Sequence, residues 1–193
     1  MKTDARRTGK TKGAVLLARR SFVEERFGAE AWDTVLKHLP EPIRQDLETG
    51  ILASNWYPFE YNDLINKIIV DVLAKGDRQV FEEMGRWSAR KNLKGPHRML
   101  LCPGNPQRML TNSPHIHKIY YDTGYRTYES TGPNSCLITT YDAEIYSEID
   151  CLTNIGWHKE ALEMCGAKNV RMREVICRAH GSRYCQYEIA WEM

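Results

Sequence analysis

Residues Arg173–Cys185 read REVICRAHGSRYC. The segments on either side, NVRMREVIC and RYCQYEIAWE, are rich in β-branched and aromatic residues, so the stretch reads as the tip of an antiparallel hairpin joined through Ala-His-Gly-Ser. Ahead of it, DCLTNIGWHKEALEMCG sets Leu152, Ile155 and Leu162 at helical spacing, with Gly166 past the last periodic residue. The end of the chain is therefore a helix feeding two strands.

The same stretch carries the chain's most concentrated chemistry. Cys177 and Cys185 each stand four residues from Gly181. A hairpin centred there sets them directly opposite, with Cβ atoms about 4.5–5.5 Å apart. That is close enough to share a zinc ion at about 2.3 Å from each sulfur, to form a disulfide, or to pack as small apolar groups. Glu174 precedes Cys177 by three residues, an odd separation that sends the two side chains to opposite faces of a regular strand. For Glu174 to join the cysteines, a bulge or twist is needed near Val175. His180, at the turn, is the alternative, giving a C-x2-H-x4-C spacing. A further ligand must come from elsewhere, and Cys151, at the start of the preceding helix, is the candidate.

Working back along the chain, YRTYES and SCLITTYDAEIY flank Thr-Gly-Pro-Asn and predict another hairpin. Before it, Pro103, Pro106 and Pro114 cut the sequence into short helical pieces, NPQRML and PHIHKIYY. The first half is helical. AEAWDTVLKHL gathers Trp32, Val35, Leu36 and Leu39 on one face, and IRQDLETG follows the break at Pro40 and Pro42. YNDLINKIIVDVLAKGD spaces Leu64, Ile65, Ile68, Ile69, Val72 and Leu73 helically, and RQVFEEMGRWSARKNL runs to Gly95. ILASNWYPF is extended. The expected class is α+β: N-terminal helices followed by a small antiparallel sheet with a crossing helix and the C-terminal hairpin.

At 193 residues with 42% hydrophobic and 27% charged residues, the chain suits one substantial core. The expectation is a mobile basic tail over 1–12 and a single domain over 13–193. The net charge of +2 hides an asymmetry: Lys2, Arg6, Arg7, Lys10 and Lys12 against Asp4 put about +4 in the tail, leaving the rest slightly acidic. A folded part of that sign is no nucleic-acid platform. The run AVLLA at Ala14–Ala18 is too short for a signal-peptide core, and no later run reaches the length of a membrane span, so a cytoplasmic protein is expected. In a reducing compartment the six cysteines read as core thiols and metal ligands before disulfides.

The run CLTNIGWHKEALEMCGAKNVRMREVICRAHGSRYCQYEIAW, Cys151–Trp191, resembles the 4-vinyl reductase type of domain. In that type a Cys, a Gly-aromatic pair, a Glu-x2-Cys and a last Cys after a Gly turn recur. The type belongs to a superfamily that includes heme-nitric-oxide-binding domains, Golgi vesicle-tethering subunits and the sensor domains of phenol-responsive transcription activators. GILASNWYPFEYNDL and FEEMGRWSA are similar to an uncharacterised paralogous family abundant in myxobacteria. In the phenol sensors three cysteines and a glutamate hold zinc, and the resemblance places that set on Cys151, Glu174, Cys177 and Cys185, favouring Glu174 over His180. Cys165 falls outside it and reads as core. The heme relatives' Tyr-x-Ser-x-Arg signature begins at Tyr128-Glu129-Ser130 but has Gly132 in place of the arginine.

Among other features, Gly9-Lys10-Thr11 lacks the earlier glycine and the strand of a phosphate-binding loop. Trp56, Tyr57 and Trp87 read as core aromatics, and His115 and His117 as a surface or helix-end pair. No serine has a His and carboxylate frame. The resulting expectation is a zinc-stabilised, non-enzymatic sensor or interaction domain, homodimeric, receiving a small apolar ligand and acting through a partner protein. The alternatives are an accessory factor or small enzyme in tetrapyrrole reduction, and a tethering-type interaction subunit. A solvent-excluded cavity would favour the sensor and a filled core the adaptor.

Overall fold

The computed structural model describes residues 9–95, 97–144 and 147–193. Lys10–Lys12, read from sequence as the end of the basic tail, form a short strand β1 paired antiparallel with β2, Trp56–Pro58; residues 1–8 lie outside the described residues. Between these strands run α1 (Gly13–Phe27), α2 (Ala31–His38) and α3 (Glu41–Glu48). Trp32, Val35 and Leu39 bury the face that the periodicity of AEAWDTVLKHL defines.

Then come α4 (Phe59–Ile68), whose last turn widens into a π-helical turn at Ile69–Leu73, and α5 (Val80–Lys94). The π turn takes an extra residue per turn, so Val72, expected on the buried face, rotates outward to 37% exposure. Short helices α6 (Pro106–Thr111) and α7 (Ser113–Tyr120) follow.

The second half is one four-stranded antiparallel sheet. Its strands β3 (Tyr125–Gly132), β4 (Ser135–Tyr141), β5 (Lys168–Ile176) and β6 (Tyr184–Glu192) lie in the order β3-β4-β6-β5, with α8 (Glu148–Met164) connecting β4 to β5. The C-terminal strand thus lies inside the sheet. Its buried residues alternate, Cys185, Tyr187, Ile189 and Trp191, and the first three stand opposite Thr140, Ile138 and Cys136 on β4. The two strands build one face with period two, and Ile155 and Leu162 of α8 share its core.

α8 also packs against α5, and the approach is set by two glycines. A Cβ on Gly85 would lie 2.1 Å from the Thr153 carbonyl oxygen, and one on Gly156 would lie 2.0 Å from that of Glu82. The helices therefore touch backbone to backbone, which only residues without a Cβ permit. This contact fixes the start of α8 between the helical layer and the sheet.

Candidate functional site

The four ligands named from sequence converge. One ligand atom from each of Cys151, Glu174, Cys177 and Cys185 lies within 4.8 Å of all the others, and the Cys151 and Cys177 sulfurs are 4.0 Å apart. Thiolates at about 2.3 Å from a tetrahedral ion stand roughly 3.8 Å from one another, so the cluster needs little adjustment to close on a metal. Each element makes a local contribution. Ser147 caps α8, its hydroxyl accepting from the Asp150 amide at 3.1 Å, which puts Cys151 in the first turn. The pairing of β5 with β6 shifts register between Glu174 and Ile176, so the irregularity falls at Val175. That residue is 38% exposed, and the bulge brings Glu174 to the face of Cys177.

The electrostatics suit ligation. Cys151 donates toward Cys185, which holds the Cys185 thiol down to about 7 and pushes Cys151 well up. Burial raises Cys177 to about 11. Cys185 is thus the most acidic of the three, and Cys151 and Cys177 hold their protons more tightly until a cation takes their place. Glu174 Oε1 is buried with no hydrogen-bond partner. His180, the alternative ligand, is exposed and turned to the Glu148 carboxylate; it stands outside the cluster. Cys165 is buried in a separate apolar cluster with Ala89, Leu93 and Ile116. All six cysteines are free thiols.

Beside the cluster lies a cavity of about 140 Å³ whose wall includes Cys151 and Cys185. Phe59, Ile116, Ala143 and Trp157 give it apolar surface; Arg19, Arg126, Asp150 and His158 give it polar surface. Arg19 pairs with Asp150 at 2.8 Å, and its Nε donates to Asn66 Oδ1 at 2.8 Å. Asn62 and Asn66 donate to the same carboxylate. Arg126 donates from Nε to Thr140 Oγ1 at 3.0 Å and from Nη1 to Asn154 Oδ1 at 3.2 Å and Ser113 Oγ at 3.5 Å.

His158 donates from Nδ1 to the Asn154 carbonyl at 2.9 Å, because a carbonyl oxygen can only accept. Its Nε2 therefore accepts from the Ser113 hydroxyl at 3.2 Å. Burial, and then the Arg126 charge, hold the imidazole neutral with a pKa near 3. The His115–His117 pair divides: His115 is exposed, whereas His117 is buried, lines the cavity and donates from Nε2 to the Thr123 carbonyl at 3.1 Å. Burial lowers His117 also to about 3. Trp56 differs from the core role expected of it. It is 40% exposed under the Lys12 ammonium, 4.0 Å from the ring centroid.

Arg19, Arg126, Asp150 and His158 were not singled out from sequence. For Arg19 a signal existed: an arginine among Val15, Leu16, Phe22 and Val23 on the buried face of α1 demands a partner. Arg126 gave none, since alternation on a half-buried strand tolerates a long cation.

No family model and no curated protein matches this sequence. Solved structures do match. The Fe(II) unliganded H-NOX protein from K. algicida is 14% identical over 94% of this chain and 97% of its own, with a TM-score of 0.71. The chain has the H-NOX fold. A Cs H-NOX mutant matches over 94% of this chain and 97% of its own at 11% identity and a TM-score of 0.73. The S. oneidensis H-NOX protein in its Fe(II)NO state matches over 94% and 99% at 13% identity and 0.68. These structures agree with the fold that the sequence resemblance implied and do not bear on the vinyl-reductase type or the myxobacterial family.

The H-NOX fold also corrects the expectation of zinc as cofactor. Among these neighbours, two are in Fe(II) ligation states and one is a study of heme redox potential. Three sulfurs and a carboxylate define a site for soft divalent ions as a class; the residues do not single out zinc.

Proposed function

We propose that the chain is a non-enzymatic sensor domain that takes one small molecule into its interior and acts through a partner protein, as a homodimer. The cavity carries this reading. At about 140 Å³ it matches the size that holds a single benzene-like molecule, about 150 Å³, and a tethering-type adaptor has no use for such a space. The H-NOX fold and the vinyl-reductase-type run at Cys151–Trp191 support the same class of function. Cys151, Glu174, Cys177 and Cys185 are read as a structural metal centre, because four protein ligands fill a tetrahedral shell and leave no open position. The cavity and the centre share Cys151 and Cys185, so occupancy of the one bears on the geometry of the other.

Heme, named with one neighbour of this fold, does not fit the residues of this chain. The cavity is of single-ring size. The buried His117 gives its Nε2 to the Thr123 carbonyl and leaves Nδ1 without a partner, so the space rather than the imidazole is what fails heme, and Gly132 stands in place of the signature arginine.

Calorimetry and thermal shift with a panel of single-ring compounds, neutral and anionic, test the reading. At least one compound binds saturably at one per chain, and Ala18→Leu, which fills the cavity, abolishes that binding. If no compound in the panel binds or stabilises the chain, the adaptor reading replaces this one.

A further inference from the structure

Three of the six cysteines belong to the four-ligand cluster, and Cys136 is sealed in the core of the sheet, where burial pushes its thiol up to about 12. The other two stand against each other. Cys102 follows the single helical turn at Arg98–Leu100 and is the one cysteine that is not buried. Cys165 closes the end of α8 and is 1% exposed.

Two contacts fix the pair. The Gly104 amide donates to the Cys165 carbonyl at 2.8 Å, and the Cys102 amide faces the Cys165 sulfur. Burial raises the Cys165 thiol, the amide lowers it again in part, and a Cys102 thiolate raises it through its charge, so the two sulfurs lie within each other's field. A disulfide requires Cα atoms about 4.4–6.8 Å apart, and an amide facing the partner's sulfur brings them close to that range. The Cys102 thiol rests on the Leu100 carbonyl at 3.7 Å, a weak hold for a sulfur donor. Pro103 and Gly104 turn the chain directly after it, Gly104 at a φ of 76°, so this side chain is the one that can rotate to close the gap.

We propose that Cys102 and Cys165 are a thiol pair that a small disulfide of the glutathione class oxidises to an intramolecular disulfide. The Cys102 thiolate attacks one sulfur of the small disulfide and expels a small thiolate, which takes up the proton that Cys102 gave up. Cys165 then loses its proton, attacks the Cys102 sulfur of the mixed disulfide and expels the second small thiol. Two protein thiols and one small disulfide become one protein disulfide and two small thiols. Exposure assigns the roles, since Cys102 is reached from solvent and Cys165 is not. The bond ties the end of α8 to the segment between α5 and α6, within the cluster of Leu93, Met109 and Ile116. Ile116 also lines the cavity, so the pair reaches that space through a shared side chain.

The test treats the full chain as purified with glutathione disulfide, blocks the remaining thiols by alkylation and maps tryptic peptides by mass spectrometry, with metal content measured before and after. Cys102 and Cys165 fall on the peptides Met99–Arg108 and Glu160–Lys168, each with one cysteine. Expected are joint loss of alkylation at both cysteines, a linked peptide that dithiothreitol separates, and unchanged metal content. The melting temperature is expected to rise, since the bond closes a loop of about sixty residues. Cys165→Ser is expected to stop at the mixed disulfide on Cys102, and Cys102→Ser to leave Cys165 unmodified. An unreactive Cys102, a mixed disulfide on Cys102 that persists in the unaltered chain, or a linked peptide that forms only once metal is lost would each overturn the proposal. The unaltered chain supplies these readouts, so they decide even where a variant fails to fold.

Discussion

Glu174 and His180 compete for one role, and the outcome turns on a single extra residue in a strand. The odd spacing from Glu174 to Cys177 made a bulge near Val175 a requirement that could be stated from sequence, and the register of β5 on β6 shifts there. His180 lies on the solvent side, against Glu148. The expected outcome of mutation follows. Cys177→Ser and Cys185→Ser reduce bound metal, measured by elemental analysis, and lower the melting temperature, because metal binding energy appears as folding stability. Glu174→Gln weakens retention against a chelator, and His180→Ala leaves metal content unchanged. Loss of metal in His180→Ala with full retention in Glu174→Gln would reverse the assignment. Arg126 and Asn154 mark the limit of reading residue by residue. Neither stands in a motif, and they meet only once β3 and α8 are packed together.

The helix and strand pattern was open to sequence wherever one face of an element is buried: the apolar face of α2, the alternation of β6 and the helical spacing of α8 all follow from burial on one side. It failed where an element departs from its own period. The π turn at Ile69–Leu73 shifts Val72 outward, and nothing in IIVDVL announces the wider turn. The pairing of Lys10–Lys12 with Trp56–Pro58 depends on partners more than forty residues apart, beyond any local pattern. The contact of α5 with α8 is of the same kind, since Gly85 and Gly156 look like ordinary interruptions of their helices. Added methyl groups there meet backbone carbonyl oxygens, which cannot swing aside as side chains can. Gly156→Ala is therefore expected to destabilise by about 2–4 kcal/mol, well beyond the gain of roughly 1 kcal/mol in helix propensity. Denaturant unfolding measures it, and a neutral or stabilising result would mean that the helices part easily.

At the scale of the whole molecule, helical layer and sheet meet around a space bordered by neutral buried imidazoles, and this makes global stability depend on acidity. His117 and His158 have folded pKa values near 3, against about 6.5 when unfolded. Between those values the unfolded chain binds protons that the folded chain refuses. Their stabilising contribution is therefore complete above pH 6.5 and is lost as pH falls toward 3, with a slope of about 1.4 kcal/mol per pH unit for each histidine. By pH 5 the loss is about 2 kcal/mol per histidine. The metal-free chain is used; because the Cys185 thiol is held down to about 7 it adds its own loss near neutral pH, and the range from pH 6 to 5 separates the imidazoles from it and from most carboxylate titration. No helix among the described residues is long and apolar enough to cross a membrane; unfolding by denaturant at each pH is the measurement. His158→Gln is expected to lower stability at pH 7 by breaking the bond with Ser113, and to remove its share of the acid slope, about 1.4 kcal/mol per pH unit, leaving those of His117 and of the partly buried His97. A slope that remains unchanged in His158→Gln would mean that this imidazole is already protonated in the folded chain, and with it the charge balance of the cavity would be different.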